Sequence, residues 1–174
     1  MLSNDLEDAK EVHKAFFPQQ NLSLPGIACE TFCRPARGIG GDYYAFLPLH
    51  ADRWGIAIGD VCGKGIRAVL LMASLQASLR AQAMHAHSDL STLIADVDRL
   101  VLAASPKHLY ATLFYADYDP ATRMLRYVNA GHNAPTGAME NWPMRGIPPG
   151  TERNGARAPG EFSIHLQRSS TRKR

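Results

Sequence analysis

Two aspartates at the open end of one hairpin pattern constrain this chain more than any other feature. Residues 43–47 (Tyr-Tyr-Ala-Phe-Leu) and 54–58 (Trp-Gly-Ile-Ala-Ile) are short apolar runs joined by a polar connection, residues 48–53. Such runs form an antiparallel pair. A turn centred on Ala51 then sets Asp42 directly opposite Asp60. Opposed side chains in such a pair lie about 5 Å apart, and like charges there repel. A hard divalent cation relieves that repulsion, because Mg²⁺ or Mn²⁺ takes oxygen ligands and is often held by one or two carboxylates plus water. Gly40, Gly41, Gly59, Gly63 and Gly65 surround the pair; they let backbone amides and carbonyls approach an ion or a phosphate. The plainer alternative, in which the aspartates only cap turns, explains either motif alone better than both at this spacing.

The 174 residues are 45% apolar, enough for one domain with a sizeable core. No stretch approaches the roughly 18 consecutive apolar residues of a membrane span, and the charged first ten residues do not resemble a signal peptide. A soluble, cytoplasmic chain without a membrane span is expected. Cys29, Cys33 and Cys62 form neither a paired cluster nor a zinc pattern and are read as reduced thiols. The seven histidines are scattered and are read as surface or loop residues. The net charge of +3 is unevenly spread: residues 136–174 hold 7 Lys and Arg against 3 Asp and Glu, and residues 1–135 hold 12 against 13. The basicity therefore lies in the tail, and no nucleic-acid footprint is visible on the domain.

Along the chain, Leu6, Ala9, Val12 and Phe16 mark an amphipathic helix over residues 6–17, with Asn4 or Asp5 as its cap. That helix is open to two uses, packing on the domain or joining a signalling domain or a dimer partner. Residues 27–32 read as a strand. Residues 66–84 read as a buried helix with Ala68, Leu71, Met72, Leu75 and Leu79 inward. A second helix follows the caps at residues 88–91, with Leu93, Ile94, Val97, Val101 and Leu102 facing the core. Residues 109–118 and 124–130 form a second hairpin across Asp119-Pro120-Ala121-Thr122-Arg123. Beyond Pro135, 39 residues contain only 10 apolar ones, so little can be buried there. Only residues 162–166 suggest a strand, and the rest is expected to be irregular.

The ordered motifs Leu24-Pro25-Gly26, Arg34-Pro35-Ala36, Gly40-Gly41-Asp42-Tyr43-Tyr44, Ile58-Gly59-Asp60-Val61-Cys62-Gly63-Lys64-Gly65, Leu70-Leu71-Met72-Ala73, Thr112-Leu113-Phe114-Tyr115 and Asn129-Ala130-Gly131-His132-Asn133-Ala134-Pro135 closely resemble the SpoIIE/RsbU-type phosphatase domain. This is the bacterial branch of the PPM (protein phosphatase type 2C) serine/threonine phosphatases. The resemblance covers roughly residues 6–135. It implies an α/β (α+β) fold, a four-layer α-β-β-α sandwich with a binuclear Mn²⁺ or Mg²⁺ site at one edge. Residues 1–20 would be an N-terminal linker helix, 21–135 the phosphatase core and 136–174 a divergent basic tail.

Carried onto this sequence, the resemblance makes Asp42 and Asp60 the catalytic metal ligands, with Asp60 bridging two ions and the Val61 carbonyl ligating one. Arg34, Arg37, Gly41 and Gly63 are candidates for substrate phosphate. Asn129, His132 and Asn133 either line the site mouth or hold their own loop, the second reading being favoured. The family's later Thr-Asp-Gly metal motif has no match in residues 136–174, so the domain is expected to be C-terminally incomplete, with one ion weak or absent. The implied activity is hydrolysis of phosphoserine or phosphothreonine on a regulatory protein of the anti-sigma factor antagonist type. The other reading is an impaired phosphatase-like domain that acts through protein contacts. A homodimer through the N-terminal helix is a further expectation.

Overall fold

The computed structural model describes residues 2–18, 21–34, 39–85, 89–106, 108–133, 144–146 and 161–167. Helix α1 (Leu2–Ala15) leads into β1 (Leu22–Leu24) and β2 (Ile27–Arg34). Strands β3 (Asp42–Pro48) and β4 (Trp54–Val61) follow, then helices α2 (Ile66–Ala83) and α3 (Leu90–Ala104). Strands β5 (Ala111–Asp119), β6 (Met124–Ala130), β7 (Met144–Gly146) and β8 (Glu161–Gln167) complete the order. The larger sheet runs β3-β4-β5-β6-β7, and the smaller runs β1-β2-β8. All pairings are antiparallel except β6 with β7.

The large sheet is apolar on both faces because it is covered on both. On one face Tyr43, Ala45, Leu47, Ala57, Val61, Leu113, Tyr115 and Val128 pack against Ala68, Leu71, Met72, Leu75 and Leu79 of α2 and Leu93, Val97 and Val101 of α3. On the other, Ile56, Phe114, Ala116, Tyr118 and Leu125 meet Leu22, Ile27 and Cys29 of the small sheet. Side chains alternate faces along a strand, so each strand feeds two cores. The described residues thus form three layers, helix, sheet and sheet, of the expected sandwich. No described helix is long and apolar enough to cross a membrane.

The predicted elements fall close to the observed ones, with local corrections. Helix α1 starts at Leu2, so Asn4 and Asp5 lie inside it rather than capping it. Val12 is 58% exposed while His13 is 2% exposed. Adjacent residues lie about 100° apart round a helix, so the face that buries His13 turns Val12 outward. Leu102 likewise faces solvent, at 56% exposure, and Asp89 caps α3 through Ser91 and Thr92. Asp119 closes the second turn by accepting the Ala121 and Thr122 amides. The expected strand at residues 162–166 is β8, although most of the tail lies outside the described residues.

The end of the large sheet away from Asp42 carries a different charge arrangement. Asp117, buried, accepts from Arg53 Nε at 2.9 Å and Arg126 at 2.7 Å, and Arg53 adds a second contact. A buried carboxylate is tolerable when its oxygens are fully engaged by cations, and removing it strands both partners. Because both arginines are about one-third exposed, Asp117→Ala is expected to cost about 2–3 kcal/mol, below the full buried-pair penalty. Urea unfolding should show a lower midpoint at unchanged slope.

Candidate metal centre

The β3–β4 register pairs Asp42 with Asp60, Ala45 with Ala57 and Pro48 with Trp54. A short 3-10 turn at His50–Asp52 closes the hairpin, with Ala51 and Asp52 at positive φ. The next pairing sets Asp60 beside Thr112 of β5. Asp42, Asp60 and Thr112 therefore form a row at one end of the large sheet. They share the face that carries Ile56, Ile58 and Phe114, which puts the carboxylates at the margin between the two sheets, each partly exposed.

Gly41 is required by its neighbour. A Cβ there would lie 2.4 Å from the Val61 carbonyl oxygen, so only glycine lets the backbones approach this closely. The Val61 amide donates to the Gly41 carbonyl at 3.1 Å. Gly63, at φ +106°, turns the chain from β4 toward α2 in a conformation that side chains disfavour. The loop is pinned to the start of β5: the Cys62 amide donates to the Tyr110 carbonyl at 2.9 Å, and the Tyr110 amide donates to Cys62 Sγ at 3.1 Å.

Burial pushes the pKa of Asp42 up, offset in part by nearby His13. Burial also pushes Asp60 up, and the Asp42 charge adds to it. This is the electrostatic signature of two carboxylates held together at a semi-dry edge. Cys33 is raised to about 12, first by burial and then by Asp42, so its thiol stays protonated. Oxygen donors paired in this way fit a hard, partly hydrated divalent ion. Among the described residues no group of three or more His, Cys, Asp and Glu could hold a metal; the fit is to two carboxylates supplemented by backbone oxygen and water.

Two partners, Thr112 and His13, were not singled out as site neighbours in the sequence. Thr112 Oγ1 reaches the Asp60 carbonyl at 3.4 Å and His132 Nδ1 at 2.9 Å, tying the 129–133 loop to the row. Burial lowers the pKa of His132. Asn129 accepts the His132 amide at 2.8 Å and donates to its carbonyl at 3.0 Å, the structural role read for this loop. His13 corrects the surface assignment of the histidines: its Nε2 lies 3.1 Å from the Gly40 carbonyl oxygen. The Arg34 side chain and all of Arg37 lie outside the described residues.

Residues 50–139 match the family model of Stage II sporulation protein E (SpoIIE). The chain belongs to the SpoIIE family. Its domain is of the SpoIIE/RsbU-type PPM phosphatase class. Phosphoserine phosphatase RsbU of Bacillus subtilis is 34% identical over 134 residues, covering 75% of this chain and 38% of that protein. Protein IcfG of Synechocystis is 27% identical over 158 residues, covering 74% of the chain and 24% of the relative. The chain thus spans well under half the length of these curated relatives. The RsbU and RsbW domains of Rv1364c from Mycobacterium tuberculosis superpose with a TM-score of 0.54 at 28% identity, over 63% of this chain and 31% of that one. The SiaA-PP2C domain of Pseudomonas aeruginosa, at 17% identity, shares the fold with a TM-score of 0.60 over 75% of this chain and 53% of that one.

The raised carboxyl pKa values set the pH dependence. Above the ordinary carboxylate pKa and below the raised one, the folded chain binds more protons than the unfolded chain, so metal-free stability falls as pH rises through that window. Asp60→Asn removes the repulsion. It is expected to raise the metal-free melting midpoint by about 2–4 °C, the shift made by ~1 kcal/mol in a chain of this size, and to abolish stabilisation by Mn²⁺. Scanning calorimetry with and without MnCl₂ checks both signs.

Proposed function

We propose that the SpoIIE-family domain of this chain is a metal-dependent serine/threonine protein phosphatase, with residues 21–135 as its core, acting on a phosphorylated regulatory protein of the anti-sigma factor antagonist type. The observation that carries the reading is the register that opposes Asp42 and Asp60 on a half-buried sheet end. The name of RsbU, a phosphoserine phosphatase, supports the reaction class. Asp42 and Asp60 are the proposed catalytic metal ligands and would hold Mn²⁺ or Mg²⁺, to which the Val61 carbonyl would add an oxygen.

When bound, such cations lower the pKa of a coordinated water and neutralise charge on phosphoryl oxygens. The chain's own contribution is positional. The Thr112 contact to the Asp60 carbonyl and the Gly41–Val61 approach fix the backbone segments that carry the two carboxylates. Gly63 offers a bare backbone beside the substrate phosphate, and Arg34 and Arg37 are the proposed cations for it, since Arg engages phosphate oxygens in pairs. With two carboxylates among the described residues, a second ion would be held more weakly than the first.

The test is hydrolysis of a phosphoserine protein and of p-nitrophenyl phosphate against Mn²⁺ concentration. Turnover should require Mn²⁺ and fall at least about 100-fold in Asp60→Asn, as expected when charge stabilisation at a reacting centre is removed. Metal-independent turnover, or an unaffected variant, overturns the proposal. Absence of Mn²⁺ uptake by calorimetry would instead leave a domain that works through protein contacts.

A further inference from the structure

The apolar stripe read for α1 passed over a buried polar residue. His13 is 2% exposed, on a helix whose neighbour Val12 faces water. If Nε2 carries the hydrogen, it donates to the Gly40 carbonyl at 3.1 Å; in the other tautomer it accepts the Gly40 amide at 3.5 Å. Either way the ring grips the same residue, two positions ahead of Asp42. Its plane stands edge-on to Phe17 at 5.0 Å, and Phe17 leans on Tyr44 at 5.0 Å. The contacts from α1 and the residues just after it therefore bracket Asp42, through Gly40 on one side and Tyr44 on the other. A third tie, from Gln76 Nε2 to the Phe16 carbonyl at 3.3 Å, fixes the end of the same segment to α2.

We infer that His13 is a positioning residue for the metal centre: by holding the Gly40 peptide from α1, it fixes the entry to β3 and so the placement of the Asp42 carboxylate. This rests on the reading of Asp42 and Asp60 as metal ligands. His13 is not a proton-transfer group in this arrangement, because the ring nitrogen that approaches the centre is already engaged by Gly40. Burial lowers its pKa, which suits a neutral ring that bonds a peptide. The seat of α1 consequently contributes to metal affinity although α1 supplies no ligand.

Calorimetric titration of the full chain with MnCl₂ tests this on the wild type, His13→Leu and His13→Gln, with melting midpoints measured in parallel. Leu fills the space without a polar atom, whereas the Gln amide can donate or accept. His13→Leu is expected to bind Mn²⁺ at least about 5-fold more weakly, and His13→Gln within about 2-fold of wild type, whatever their melting midpoints. Binding by His13→Leu within 2-fold of wild type, or equal loss in both variants, overturns the inference. Should His13→Leu fail to fold, Mg²⁺ titration of the wild type followed by His13 ring resonances decides. Movement of those resonances in step with binding is expected; their constancy while Mg²⁺ binds overturns it. If the wild type takes up no metal, the reading of the centre falls first and this inference with it, whereas wild-type uptake beside an unaltered His13→Leu removes the inference alone.

Discussion

The register of the β3–β4 hairpin is the constraint on which the rest depends. A slip of one residue would exchange the two faces of a strand, and here both faces are spoken for. Tyr43, Ala45 and Leu47 enter the helical core, and Ile56 enters the core beneath the small sheet. At the tip, His50 Nε2 meets the Met84 carbonyl at 2.9 Å, binding the turn to the end of α2. At the open end, Gly41 touches Val61 closely enough to exclude any side chain. Asp42 therefore faces Asp60 because hydrophobic burial elsewhere leaves no alternative. The repulsion between them is imposed by the fold.

The two ends of the same sheet answer buried charge in opposite ways. Asp117 is surrounded by guanidinium groups that engage both of its oxygens, and its role is complete within the chain. Asp42 and Asp60 have no such cationic partner among the described contacts, and their carboxyl pKa values rise where a satisfied pair would fall. Retaining two mutually repelling carboxylates costs stability, a cost that a bound divalent ion would relieve. The contrast between an internally neutralised carboxylate and an uncompensated pair separates structure from chemistry in this molecule.

Much of this was legible in the sequence because short-range physics decided it. Alternating apolar residues around a polar connection fixed the hairpin and its opposed aspartates, and turn residues at 119–123 marked the second one. The periodicity of 66–84 was equally clear. What escaped depended on three-dimensional company. A histidine on an amphipathic helix reads as polar, yet His13 has backbone to bond and an aromatic ring to lie against, so it took the buried position assigned to Val12. Thr112 looked like one more strand residue; only the lateral pairing of β4 with β5 places it beside Asp60. Leu102 kept the helical spacing of α3, but no second layer reaches it.

A centre with two carboxylates and otherwise backbone oxygen and water draws little of its affinity from the number of charges. It draws more from how rigidly those few groups are held, since each ligand that must be ordered on binding subtracts from the gain. Here the rigidity comes from elements that carry no ligand: β5 through Thr112, the 129–133 loop through His132, and α1 through His13. Thr112 acts on the Asp60 carbonyl and His13 on the Gly40 peptide, while His132 acts one step removed, through the Thr112 hydroxyl. Such a centre is sensitive to small shifts of its supports, because movement of a peptide by a fraction of an ångström redirects the side chain it precedes. On the proposed reading of the aspartate pair as metal ligands, the packing of α1 against the Gly40 segment would belong to the metal chemistry of this domain as much as the pair that the hairpin brings together.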